Sequence, residues 1–139
     1  MYLRSEKRIL LIEDNLMAHF AAKELLTHAG FNVDGACDGT DGLSLYFYYK
    51  YDLVLLDIGL PDINGFEVAR KIRAFEQARN KIPVEIIALT ATPDEYPLQL
   101  FAAAGINRIF NKPIDIDSLD PIFKDKNQST NISSNSRRP

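Results

Sequence analysis

Five polar side chains of this 139-residue chain stand at or just past the ends of short apolar runs. Glu13 and Asp14 follow RILLI, Asp57 closes LVLLD, Thr90 follows the run 84–89, and Lys112 comes just after the run 106–110. Short apolar runs separated by stretches of helical period predict parallel strands, which put their carboxyl ends on one edge of a sheet. Three carboxylates, one hydroxyl and one ammonium are therefore expected to converge in a shallow cleft. Acids crowded in this way repel, and a small hard divalent cation relieves them: Mg²⁺, with Mn²⁺ as the alternative. Asp14 and Asp57 are the expected direct ligands, and Glu13, one residue earlier and longer, acts through water. Gly59 can add a backbone carbonyl, because a residue without a side chain lets its loop fold close to the ion. With repulsion lowered, Asp57 becomes a nucleophile toward phosphorus and its product an acyl phosphate. Lys112 and Thr90 then supply a charge and a hydroxyl to the phosphoryl oxygens.

Each residue has a plainer reading when taken alone. Asp57 can cap a turn, Thr90 can be a strand-end turn hydroxyl, and Lys112 can be a solvated surface lysine. It is their common placement at strand ends that points to chemistry.

The elements that must position them follow from the apolar pattern. Residues 8–12 read as a strand and 16–29 as a helix stopped by Gly30. Residues 31–37 form a second strand, and about 40–49 a helix whose Leu43, Tyr46 and Phe47 share a face, leaving Tyr48 and Tyr49 over as an exposed pair. The continuous run Leu53, Val54, Leu55, Leu56 predicts a central strand covered on both sides. Residues 66–79 then form a third helix with Val68, Ala69, Ile72 and Phe75 on its apolar face and Phe66 off it. Pro93 and Pro97 delay the fourth helix until near Pro97, and Gly105 ends it. Asp115 or Asp117 can cap a final helix, which Pro121 makes late-starting or weak. The result is an α/β chain of five strands alternating with five helices, a five-stranded parallel sheet with helices on both faces.

Composition narrows the remaining choices. A hydrophobic content of 46% with 25% charged residues suits a single soluble domain. Net charge is −3 with no concentrated basic face, so direct nucleic-acid binding has no electrostatic footprint. The single cysteine, Cys37, excludes an internal disulfide framework and is expected to be a small buried residue in a reducing compartment. No run suits a signal peptide or a membrane span, so a cytoplasmic protein without membrane insertion is expected. His19 and His28 lie on opposite sides of the first helix and are expected to be solvent-exposed, not a shared ligand pair.

The motifs LLIEDN (10–15), DGTDGL (38–43), YDLVLLDIGLPDINGFE (51–67), ALTA (88–91), AAG (103–105) and NKPI (111–114) resemble, in order and interval, the receiver domain of two-component response regulators. The resemblance covers about residues 6–125; residues 126–139 are expected to be a disordered tail. It implies a flavodoxin-like (βα)5 fold with strand order 2-1-3-4-5. By position it implies Asp57 as phosphoacceptor, Glu13 and Asp14 as the acidic pair, Gly59 as carbonyl ligand, Thr90 as switch hydroxyl and Lys112 as the phosphate-contacting lysine. It further implies a cis Lys112-Pro113 bond and a donor that is a sensor histidine kinase or a histidine phosphotransfer protein, with an unknown downstream effector. Self-phosphorylation from small donors and autodephosphorylation go with it, so the protein is not a conventional enzyme. Ile109 departs from the family pattern, which commonly has an aromatic three positions before the lysine. The alternative is a receiver-shaped interaction module that works without phosphorylation; loss of an acid or of the lysine would mark it, and none is lost. A flavin-binding relative of the same architecture is disfavoured because Glu13 and Asp14 stand where its phosphate loop would be.

Overall fold

β3 (Leu53–Asp57) is buried at all five positions, and its neighbours explain why no polar residue interrupts it. β1 (Arg8–Ile12) pairs with it in parallel on one side and β4 (Glu85–Thr90) on the other. β2 (Asn32–Ala36) extends the sheet beyond β1, and β5 (Arg108–Asn111) extends it beyond β4. The five parallel strands thus run in the expected order 2-1-3-4-5. The computed structural model describes residues 2–124 and 136–137. A short sixth strand, Ser136–Arg137, pairs antiparallel with β5 opposite Phe110 and Ile109. These two residues depart from the expected disordered tail because β5 would otherwise end the sheet with unpaired backbone groups; the rest of that tail lies outside the described residues.

Strand alternation divides the core in two. Leu10, Val54, Leu56, Ile86 and Ile109 face α2 (Gly39–Tyr48), α3 (Gly65–Ala78) and α4 (Leu98–Ala104), meeting Leu43, Val68, Ile72 and Phe101. Ile9, Leu11, Leu55, Ile87 and Phe110 face the other way, with Leu26 of α1 (Leu16–His28) and Ile122 and Phe123 of α5 (Asp120–Lys124). Three helices begin on a side-chain cap: Asn15 accepts from Ala18 N, Asp38 from Asp41 N and Asn64 from Glu67 N. α4 has no such cap; it starts after Pro97 and stops at Gly105 in the left-handed region, φ 86°. Asp115 caps a 3-10 turn, Ile116–Leu119, and α5 follows with Pro121 as its second residue, late-starting as Pro121 requires.

Three expectations are corrected. Cys37 is exposed, because it lies past the end of edge strand β2. Phe66 is buried: its ring meets Phe101 at 5.0 Å and Tyr96 at 5.2 Å, a space created by α4 packing beside α3 and invisible from the α3 wheel alone. His19 is half-buried rather than exposed, because its ring packs over the bare backbone of Gly35, where a Cβ would strike it. Its Nδ1 lies 2.9 Å from the Glu13 carbonyl, so that nitrogen carries the proton. His28 is exposed and pairs with Glu24.

A polar cluster, unexpected from the sequence, joins the helices at the edge where the strands begin. Glu76, 2% exposed, accepts from the Tyr46 hydroxyl and Val84 N at 2.7 Å each and pairs with Arg73 at 2.8 Å. Arg73 also donates to the Gly105 carbonyl at 2.8 and 3.0 Å and to Asn107 Oδ1 at 2.9 Å. A buried carboxylate costs free energy unless its donors are all present, and here the donors come from three separate elements. Glu76→Ala is expected to destabilise by about 3 kcal/mol or more, and Tyr46→Phe by about 1–2 kcal/mol. Urea unfolding should register both as a lower midpoint with an unchanged slope.

Candidate functional site

At the opposite edge, where β1 and β3 end, Glu13, Asp14 and Asp57 place carboxylate oxygens within 4.8 Å of one another, a grouping able to hold a metal ion. Glu13 is 2% exposed and Asp57 7%, while Asp14 is half-buried at the mouth. The sheet imposes this closeness. Ile12 and Leu56 are register partners, so the next residues of both strands emerge side by side. Asp57 Oδ1 also accepts from Gly59 N at 3.1 Å.

Lys112, one residue past β5, points its ammonium between the acids, 2.7 Å from Glu13 Oε1 and 3.4 Å from Asp57 Oδ1. Its backbone N donates to the Thr90 carbonyl at 2.9 Å, and the Lys112-Pro113 bond is cis, as expected. Thr90 stands one residue beyond Leu89, the register partner of Asp57, and its hydroxyl oxygen accepts from Thr92 N at 3.1 Å. All the expected site residues are thus brought to one edge. Glu13, moreover, holds Lys112 directly, a pairing that strand-end reasoning did not foresee.

The electrostatics follow from this crowding. The facing Asp57 carboxylate, with burial adding to it, pushes the Asp14 carboxyl above its ordinary value. Burial alone would lower Lys112, but hydrogen bonding to Glu13 and the charges of Asp57 and Glu13 outweigh it, and its pKa is raised.

The loop after Asp57 is held by residues the sequence reading passed over. Asp62 accepts from Gly39 N and Thr40 N at 2.8 Å each and from the Thr40 hydroxyl at 2.6 Å, tying the loop to the first turn of α2. Those bonds, the Thr40 hydroxyl foremost, hold the Asp62 carboxyl far below the usual range. An acid in a Pro-Asp-x-Asn-Gly turn is a sequence signal for such an acceptor. Gly65 N donates to the Ile58 carbonyl at 3.0 Å, and a Cβ on Gly65 would come within 2.7 Å of the Asp57 carbonyl oxygen. A Cβ on Gly59 meets nothing within 4 Å, and Gly59 is not among the positive-φ residues. Gly65 is therefore the glycine that protein packing requires, and the expected role of the Gly59 carbonyl rests on its place beside Asp57.

A family model described as the response regulator receiver domain matches residues 9–124. Response regulator ArlR of Staphylococcus aureus is 40% identical over 113 residues, 81% of this chain and 48% of that protein, so the chain spans about half the length of the curated relatives it matches. Among solved structures, the receiver domain of sensor histidine kinase PA1611 from Pseudomonas aeruginosa PAO1 has a magnesium ion coordinated in its active site cleft. It matches with a TM-score of 0.73 and 32% identity, covering 85% of this chain and 94% of that one. The Saccharomyces cerevisiae Ssk1 receiver domain, crystallised with the phosphotransfer protein Ypd1, gives a TM-score of 0.76 over 86% of each chain; at 24% identity it bears on the fold alone.

Two measurements check the loop. Gly59→Ala is expected to change stability by less than about 0.5 kcal/mol, whereas Gly65→Ala should cost about 1–3 kcal/mol in denaturant unfolding. Because the Asp62 carboxyl is depressed in the fold, its contribution is present above the unfolded carboxylate value and lost as pH falls through and below that range. The stability gap between the parent and Asp62→Asn should therefore be full at neutral pH and narrow in acid below about pH 4, read by thermal unfolding across a pH series.

Proposed function

The chain belongs to the response regulator receiver domain family, and from that premise we propose that it accepts a phosphoryl group from a phosphohistidine onto Asp57 and switches conformation to control a partner. One observation carries the reading. The Asp57 carboxylate ends the central strand with Glu13 and Asp14 oxygens within 4.8 Å and the Lys112 ammonium 3.4 Å away.

The donor set suits a small hard divalent cation, since it offers carboxylate oxygens in a half-open cleft and its repulsion is visible in the raised Asp14. Asp14 and Asp57 would hold Mg²⁺ or Mn²⁺ directly, Gly59 through its carbonyl and Glu13 through water. When bound, the ion supplies charge neutralisation between the acceptor carboxylate and the phosphoryl oxygens. An Asp57 oxygen attacks phosphorus as the P–N bond of phosphohistidine breaks, and that bond's electron pair stays on the imidazole. The product is an acyl phosphate, and attack of water at phosphorus later returns the carboxylate and inorganic phosphate. Lys112 turns from the carboxylates to the new phosphoryl oxygens. Thr90, whose oxygen accepts from Thr92, keeps its O–H to donate to them.

Donor and output can be read in the same way. The likeness to ArlR and to the receiver of a sensor histidine kinase supports a histidine kinase or phosphotransfer protein as donor, acting in the cytoplasm. Among the described residues no helix is long and apolar enough to cross a membrane. Leu16, Met17 and Phe20 are exposed by 74, 84 and 68% beside the cleft, an apolar surface for the donor's helices. Ile109 is buried and carries no ring to swing, so the signal passes through the loop 90–97 and α4. Tyr96, packed on Phe66 and Phe101, is the aromatic that joins them.

Incubation of the whole chain with acetyl phosphate and Mg²⁺ tests the proposal by mass spectrometry. One added phosphoryl group is expected, absent from Asp57→Asn and formed on the order of 10²-fold more slowly in Lys112→Ala. An unmodified parent protein, or modification that survives Asp57→Asn, would leave the interaction module that needs no phosphorylation as the better reading.

A further inference from the structure

The exposed pair Tyr48 and Tyr49 has no part in the phosphoryl chemistry, and it lies at the opposite edge of the sheet, where α2 and α3 end. Around it the surface is aromatic and cationic together. Tyr48, Tyr49 and Phe47 are exposed by 86, 49 and 44%, and Ile82 by 91%. Phe47 stacks on Phe75 at 4.6 Å, Arg79 lies over Phe75 at 4.0 Å and Lys81 at 5.1 Å from its centroid. Arg8 lies over Tyr49 at 4.7 Å and over Tyr51 at 5.4 Å.

The charge here runs against that of the chain, whose net charge is −3. Among the described residues Lys50, Arg79 and Lys81 enter no ion pair. The nearby acids are already committed: Asp34 to Arg8 and Tyr51, and Asp52 to Arg8 N. These cations form a local positive field at the end of α2, where the helix carbonyls would themselves favour positive charge.

We infer that this aromatic and cationic surface is a docking site for an acidic segment of another protein, carrying one aromatic or aliphatic anchor residue. Charge complementarity selects the acidic partner. Single-stranded nucleic acid stacks successive bases on several open ring faces, and fewer are offered here. Phe47 and Arg79 lie against the Phe75 ring and Arg8 lies over Tyr49, so Tyr48 is the most open ring of the group. Carboxylates meet the N–H groups while Tyr48 and Ile82 receive the anchor. The surface lies away from Asp57, so it can be engaged whether or not the cleft is phosphorylated.

The test uses the whole ¹⁵N-labelled chain titrated with a synthetic probe peptide of Glu and Asp residues around a central Phe-Leu pair. Amide shifts are expected to cluster in residues 47–51 and 75–82. The triple change Lys50→Glu, Arg79→Glu and Lys81→Glu should weaken binding at least about tenfold while phosphorylation by acetyl phosphate is unchanged. Tyr48→Ser, at an exposed position that leaves the fold intact, should weaken it as well. Three results would overturn the inference: shifts centred on another surface or absent, equal binding by both variants, or tighter binding of a mixed-sequence single-stranded oligonucleotide or of phosphatidylserine vesicles at the same residues.

Discussion

Like charges held within 4.8 Å of one another are the constraint around which this fold is arranged. At an effective dielectric of about 20, each such pair costs about 3–4 kcal/mol, more than most single contacts in a domain contribute. The sheet imposes the arrangement through register, since Ile12 and Leu56 sit opposite one another and the chain continues from both into acids. Lys112 offsets part of the cost, and the bond from its backbone to the Thr90 carbonyl keeps it in place. The two strands outside the acidic pair, β4 and β5, thus provide the counter-charge. A site that stays under repulsion is ready to take up positive charge, and stability lost there must be recovered elsewhere.

It is recovered at the other edge, where the polar groups are satisfied rather than opposed. Glu76 receives bonds from Tyr46, Val84 and Arg73, so α2, α3 and the start of β4 are joined by one buried carboxylate. Among the described residues no buried side-chain polar atom lacks a partner. The same sheet therefore carries charge repulsion at its carboxyl edge and a satisfied buried carboxylate at its amino edge, a division that would let the carboxyl edge change without loosening the packing below.

Much of this was legible from residue order alone. β1 was read with its observed bounds, and Asp57, Thr90 and Lys112 were placed correctly because a strand end is a local signal, a change from apolar to polar at one residue. The misread residues depend on contacts between elements. Phe66 looked surplus on its own helix because α4 fills the space beside it only in three dimensions, and His19 looked exposed because Gly35, on another strand, leaves room for its ring. Glu76 gave no warning, since a glutamate near the end of an amphipathic helix reads as solvated until Tyr46 and Val84 are seen to converge on it. Gly59 and Gly65 show the same limit: both punctuate the loop, and only the distances from neighbouring backbone tell which one packing requires.

The fixing of α4 is uneven, and that has a mechanical meaning. Its last turn is pinned, because Arg73 holds the Gly105 carbonyl with two bonds, while its first turn begins on Pro97 with no side-chain cap. Gly105 is thus a fulcrum and Pro97 the uncapped end of a lever. Seven residues span about 10 Å, so a tilt of about 10° about Gly105 would carry the far end through nearly 2 Å. Force delivered by the loop 90–97 would turn the helix instead of sliding it, with Tyr96 at the point of application.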